Sequence, residues 1–104
     1  MTTSMPTDPT WLCAIHRSGE RPESTWLVGA EHELLCIDST GMPPRYEGPS
    51  GIAAVLTALA PALNMTPVLE GDKMIGLSGA MGSITLEPGG QVELSAAPRT
   101  DALQ

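Results

Sequence analysis

Two short stretches carry the side chains able to do chemistry. The first is Gly29-Ala30-Glu31-His32-Glu33. In an extended strand, residues two apart stand on one face, which sets Glu31 and Glu33 side by side, roughly 7 Å apart along the backbone. Neighbouring carboxylates repel, and on a buried face that repulsion is costly unless a cation sits between them. Oxygen-only donors at this spacing suit magnesium or manganese rather than zinc. His32 points to the opposite face and reads as structural. The plainer alternative is a solvated strand face with ordinary surface glutamates.

The second stretch is Leu86-Glu87-Pro88-Gly89-Gly90-Gln91-Val92-Glu93-Leu94-Ser95. Glu87 and Glu93 share strand parity only if the chain runs straight. Pro88 has no N–H for a ladder, and Gly89 and Gly90 admit positive φ, so a turn or bulge is expected there. Such an irregularity can re-aim both carboxylates toward one point. Gln91 adds an amide and Ser95 a hydroxyl. The plainer alternative is a Gly-rich hairpin that happens to be acidic.

Other templates fail. The only Lys is Lys73, and no phosphate-binding loop surrounds it. Gly76, Gly79 and Gly82 do not have dinucleotide-fingerprint spacing. His32-Glu33 is not followed by a second His four residues on, and Cys13 with His16 lacks a second ligand pair. No Gly-x-Ser-x-Gly elbow occurs.

These side chains need elements to hold them. Residues 1–9 read as a disordered N-terminus. Thr10 is placed to cap a helix from Trp11 to about Ser18, stopped by Gly19. Trp26 to Ile37 reads as a strand, with helix as competitor; Gly29 and the turn composition Asp38-Ser39-Thr40-Gly41 favour strand. Ser50 is placed to cap a helix from Gly51 to about Leu63. Ile52, Val55, Leu56, Leu59 and Leu63 form its apolar face, Pro61 kinks or shortens it, and Asn64 stops it. Short strands follow at 68–70, 74–77, 83–87 and 91–95, divided by tight glycine turns, hence antiparallel hairpins. The class is α+β: an antiparallel sheet with helices on one face.

Composition sets the outer bounds. The chain has 104 residues, with 5 Lys plus Arg against 12 Asp plus Glu, a net charge of -7. That allows one small domain or part of a larger one. An apolar share of 41% excludes a disordered acidic tail, and the absence of Phe leaves the core to aliphatic side chains. The acidic balance argues against nucleic-acid and anionic-membrane partners. No apolar run approaches a bilayer span. Two cysteines, Cys13 and Cys36, are read as reduced thiols, and the setting as cytoplasmic.

Together, in this order and at this separation, the two acidic motifs resemble the N-terminal part of a glutamate–cysteine ligase, of the plant-type branch shared with many bacterial enzymes. The resemblance covers roughly Trp11 to Asp101. It rests chiefly on the unbroken segment Leu86 to Ser95, with Trp26 to Glu33 as the weaker match; Ala96 departs from a usual Gly. The resemblance implies a partial glutamine synthetase-like catalytic fold, incomplete over 10–104. It implies ATP-dependent joining of L-glutamate and L-cysteine through a γ-glutamyl phosphate, the first step of glutathione biosynthesis. By the same resemblance Glu31, Glu33, Glu87 and Glu93 coordinate Mg2+ or Mn2+, and Gln91 and Ser95 line the substrate cavity. Neither motif contains a basic residue to grip phosphate, so the chain alone is expected to be inactive and to need the remainder of a ligase chain. The competing expectations are a non-catalytic divalent-metal-binding module, an inactive remnant, and a related carboxylate–amine ligase with another acceptor.

Overall fold

The computed structural model describes residues 8–103. Its elements are α1 (Thr10–Ser18), a 3-10 turn (Glu23–Thr25), β1 (Glu31–Leu35), α2 (Ile52–Ala62), β2 (Thr66–Glu70), β3 (Lys73–Gly79), β4 (Gly82–Glu87), a second 3-10 turn (Pro88–Gly90) and β5 (Gln91–Ala96). The fold is α+β, as expected. All pairings between these strands are antiparallel, in the order β1-β5-β4-β3-β2. Three hairpins build β2 to β5; β1, arriving from far earlier in the sequence, adds on to β5. The expected disordered N-terminus lies outside the described residues except for Asp8 and Pro9, which lead into α1.

Helix ends follow local chemistry that differs from the expected caps. Thr10 is inside α1, and Pro9 holds the N-cap position. The Asp8 carboxylate accepts from the Thr10 N–H at 3.0 Å and from its hydroxyl at 2.8 Å. Ser50 does not cap α2; Gly51 is the N-cap residue and makes no side-chain bond. Instead the carbonyls of Arg45 and Tyr46 accept from the N–H groups of Ile52 and Ala53, each at 2.9 Å. The approach is so close that a Cβ on Gly51 would strike the carbonyls of Glu47 and Tyr46. Pro61 sits in the last turn, where the helix ends anyway. Asn64 stops it in the left-handed region at φ 52, with Met65 N–H bonding to Ala60 C=O and Asn64 N–H to Pro61 C=O.

The core is small. Leu56, Ala60, Met65, Leu77 and Ile84 are buried, with Ile52, Leu59, Met74, Leu86 and Val92 packed around them. The inward stripe of α2 is therefore Ile52, Leu56 and Ala60, spaced by four. Val55 and Leu63, expected on that face, stand exposed on its flanks. Helix α2 packs on β2 and β3. Helix α1 buries none of its residues, so the expectation of two helices covering one face holds for α2 alone. The radius of gyration, 19.3 Å, far exceeds the roughly 13 Å of a compact chain of about 100 residues.

β1 is shorter than the expected Trp26 to Ile37. Trp26 follows the 3-10 turn and its indole N–H donates to the Arg21 carbonyl, while Val28 pairs across an isolated bridge with Arg99.

Candidate functional site

Register decides which side chains share a face. In β1–β5, Glu31 faces Ser95, Glu33 faces Glu93 and Leu35 faces Gln91. In β4–β5, Ser83 faces Ser95, Thr85 faces Glu93 and Glu87 faces Gln91. Residues directly opposite each other lie on one side of the sheet. Hence Glu31, Glu33, Glu87, Gln91, Glu93 and Ser95 all stand on the same face. His32 pairs with Leu94 on the other, with Leu34, Val92, Ile84 and Leu86. Pro88-Gly89-Gly90 makes a full hairpin reversal, with φ of 80 at Gly89 and 75 at Gly90. That reversal, rather than a bulge within one strand, brings Glu87 and Glu93 to one side.

Glu93 holds the centre. Glu33 is its cross-strand neighbour, with Cβ atoms about 4.5–5.5 Å apart in such pairs. Glu31 and Glu87 are diagonal neighbours, roughly 7–8 Å away. A hydroxyl orients each of the two half-buried acids: Ser95 Oγ donates to Glu93 Oε1 at 2.8 Å, and Thr85 Oγ1 donates to Glu87 Oε1 at 2.7 Å. Glu31 and Glu33 are exposed on the edge strand. Thr85 was not singled out from the sequence, although the alternation Ser83-Ile84-Thr85-Leu86-Glu87 already puts it beside Glu87.

No Lys or Arg occupies this face of β1, β4 or β5. Lys73 is instead paired with Glu47 at 2.7 Å, which holds the Glu47 carboxyl below its usual range and raises the lysine. The donor set is entirely oxygen: four carboxylates, an amide and two hydroxyls. That chemistry fits a hard divalent cation. The acids stand in a row across three strands; among the described residues no three His, Cys, Asp or Glu side chains are drawn together closely enough to enclose an ion. Beside the row, an open concavity of about 590 Å³ is lined by Val68, Gly76, Ser83, Thr85 and Glu87, among others. Among the described residues no helix is long and apolar enough to cross a membrane.

Comparison with known proteins places this arrangement in context. Residues 27–104 match the model of Glutamate-cysteine ligase family 2 (GCS2). The chain is 42% identical over 88 residues to a chloroplastic glutamate–cysteine ligase of Brassica juncea, covering 84% of this chain and 16% of that protein. It is 43% identical over 82 residues to that of Solanum lycopersicum, covering 78% of this chain and 15% of the relative. It is 41% identical over 88 residues to that of Arabidopsis thaliana, covering 84% and 16%. The chain thus spans about 16% of the length of the curated relatives it matches. These relatives are named as chloroplastic, which overturns the expectation of a cytoplasmic setting. Reduced thiols distinguish reducing from oxidising surroundings, not one reducing compartment from another.

Proposed function

The chain belongs to glutamate–cysteine ligase family 2, and from that premise we propose that its sheet is part of the catalytic surface of an ATP-dependent ligase that joins L-glutamate to L-cysteine. The observation that supports this is the folding of the Leu86–Ser95 segment into a hairpin whose acids share a face with Glu31 and Glu33. The family resemblance further implies a glutamine synthetase-like sheet and a place at the entry to glutathione biosynthesis.

In this reading Glu31, Glu33, Glu87 and Glu93 hold Mg2+ or Mn2+, and Gln91 and Ser95 meet substrate. A divalent ion held by these carboxylates would supply the positive charge that phosphoryl transfer from ATP to the glutamate side chain needs. The chain's own part is to present carboxylates from adjacent strands, with the Ser95 and Thr85 hydroxyls fixing the aim of Glu93 and Glu87. The cysteine amine then attacks the γ-glutamyl phosphate, and phosphate leaves.

The phosphate-gripping cations are a separate matter. With none on this face of β1, β4 or β5, the acids repel a nucleotide unless metal and basic side chains from further residues accompany it. The 104-residue chain by itself is therefore expected to hold the ion without turning over ATP. The same observation favours, as second reading, a divalent-ion module without ligase activity.

Calorimetric titration with Mn2+ tests the shared part of both readings. Binding by the wild type that is lost in Glu93→Ala is the expected result; no heat from the wild type disposes of both. ATP hydrolysis dependent on glutamate and cysteine then separates them when the remaining ligase residues are supplied.

A further inference from the structure

The sheet ends differently at its two edges. β2, at one edge, carries Pro67, which has no N–H to offer, and a bulge where its register with β3 shifts between Val68 and Leu69. Both features discourage further pairing. β1, at the other edge, has neither. Its inner side is fixed by β5: the Ala96 N–H donates to the Ala30 carbonyl at 2.8 Å, and the register runs without a shift from Glu31 opposite Ser95 to Leu35 opposite Gln91. Bonded and unbonded pairs alternate along an antiparallel ladder. Ala30, His32 and Leu34 therefore turn their backbone groups toward β5, and Glu31, Glu33 and Leu35 turn theirs outward. Among the described residues no strand takes up those outward groups.

The side chains of β1 dictate what can pair there. On one face an added strand stands beside Glu31 and Glu33, both exposed, with Glu87 and Glu93 further along and no Lys or Arg on β1, β4 or β5 there. On the other it stands beside His32 and the exposed Leu34. Its complement is a strand in which basic and apolar side chains alternate. The five basic residues of this chain, Arg17, Arg21, Arg45, Lys73 and Arg99, lie too far apart to form one. A second copy fits no better. Antiparallel pairing of two β1 strands keeps each face continuous, which gathers four glutamates between chains that each carry a net charge of -7.

We propose that the outer edge of β1 is a docking edge for an extended polypeptide segment from outside these 104 residues, its basic side chains beside Glu31 and Glu33 and its apolar ones beside Leu34. Such a segment brings to the acidic face the basic side chains that the ligase reading requires from further residues. That use rests on the ligase reading; the edge and its charge do not.

The experiment uses neither metal nor nucleotide. The probe is an N-acetylated, amidated peptide of three arginine–valine repeats, titrated into the 15N-labelled 104-residue chain. A peptide of three arginines followed by three valines, equal in charge and composition, measures bare charge attraction. The alternating peptide is expected to shift the amides of Glu31, Glu33 and Leu35 and slow their exchange, leave β2 alone, and bind about tenfold more tightly than the blocked one, the worth of about one hydrogen bond. Leu35→Pro removes one outward N–H and spares both glutamates and the β5 ladder; it should bring the two peptides level. Equal affinity of both peptides for the wild type, or shifts centred away from β1, overturns the docking edge. So does a dimer of the chain alone in sedimentation that Leu35→Pro abolishes, because the edge then belongs to a second copy. Should Leu35→Pro not fold, the two peptides on the wild type carry the decision. Peptide docking without any Mn2+ heat leaves the edge standing and removes the metal reading; Mn2+ heat without peptide docking does the reverse.

Discussion

Placing Glu33 directly opposite Glu93 has a price that is measurable without any activity assay. Like charges directly opposite on one sheet face are destabilising, on a scale of about 0.2–1 kcal/mol for cross-strand pairs. Coulomb's law at the dielectric of water gives about 0.8 kcal/mol for unit charges 5 Å apart, the same scale. Glu33 is exposed, so solvent and salt hold the effect to this range. Glu33→Gln removes that repulsion and leaves Ser95 on Glu93 untouched. The metal-free variant is therefore expected to be more stable than the wild type by roughly 0.5 kcal/mol. That corresponds to about 2–4 °C in melting temperature for a domain of this size. Circular dichroism melts at low ionic strength measure it. In about 1 M salt, where the screening length is about 3 Å, the difference should largely vanish. Mn2+ should then reverse the order, because an ion that binds only the folded state stabilises the wild type by mass action and the variant less. A Glu33→Gln protein that melts lower than wild type without metal refutes the reasoning. So does an equal Mn2+ shift in both.

Three further outcomes follow from the fold. Leu77→Ala, at a position with 0% exposure, should cost about 2–5 kcal/mol in thermal or urea unfolding, a large share of what so small a core supplies. Gly82→Ala should unpair β4 from β5 in amide exchange, because Gly82 has φ 140 and its added methyl would strike the Ser95 carbonyl, whereas Ala80→Gly, in the neighbouring turn, should not. On acidification the 38–50 segment should loosen before the sheet. Asp38 is held low by the Thr40 hydroxyl and then by the Met42 N–H, and Glu47 by its bond from Lys73; the stability each adds is present above the ordinary carboxylate range and lost as pH falls through its lowered value. Lys73 is raised by Glu47, so its share survives below the ordinary lysine range and is lost only as pH rises through the raised value. Carboxyl-carbon NMR titration of Asp38 and Glu47, inflecting below exposed acids of the same chain, checks both.

Much of the placement was legible in the residues. Alternation in Ser83 to Glu87 and in Gln91 to Ser95 has period two, so the polar and apolar faces separate without tertiary information. Pro88-Gly89-Gly90 marks the reversal between them. Asn64 reads as a helix stop because it tolerates φ above zero. What failed was capping: Thr10 and Ser50 have the right chemistry, but Asp8 lies two residues before Thr10, and the carbonyls of Arg45 and Tyr46 reach α2 before any Ser50 hydroxyl is needed. Backbone capping by carbonyls of the loop just before the helix leaves no composition signal. Nor does the bond from the Tyr46 hydroxyl to Met74, whose partner is a carbonyl and therefore anonymous in sequence.

The same alternation explains why site and stability are tied together. Helix α2 covers β2 and β3, whereas the acids lie on β1, β4 and β5. Behind the acids, Leu34 on β1 and Leu94 on β5 remain 60% and 39% exposed. At that edge β1 therefore owes its register mainly to ladder hydrogen bonds with β5, with little apolar burial beneath it, whereas Ile84, Leu86 and Val92 pack behind β4 and the start of β5. Charge repulsion on one side and thin packing on the other act on the same strands. Whatever neutralises the carboxylates should also firm the β1–β5 pairing. In amide exchange, added Mn2+ should accordingly protect β1 and β5 more than β2, which α2 already covers; uniform protection across the sheet would separate the acids from the order of the strands that carry them.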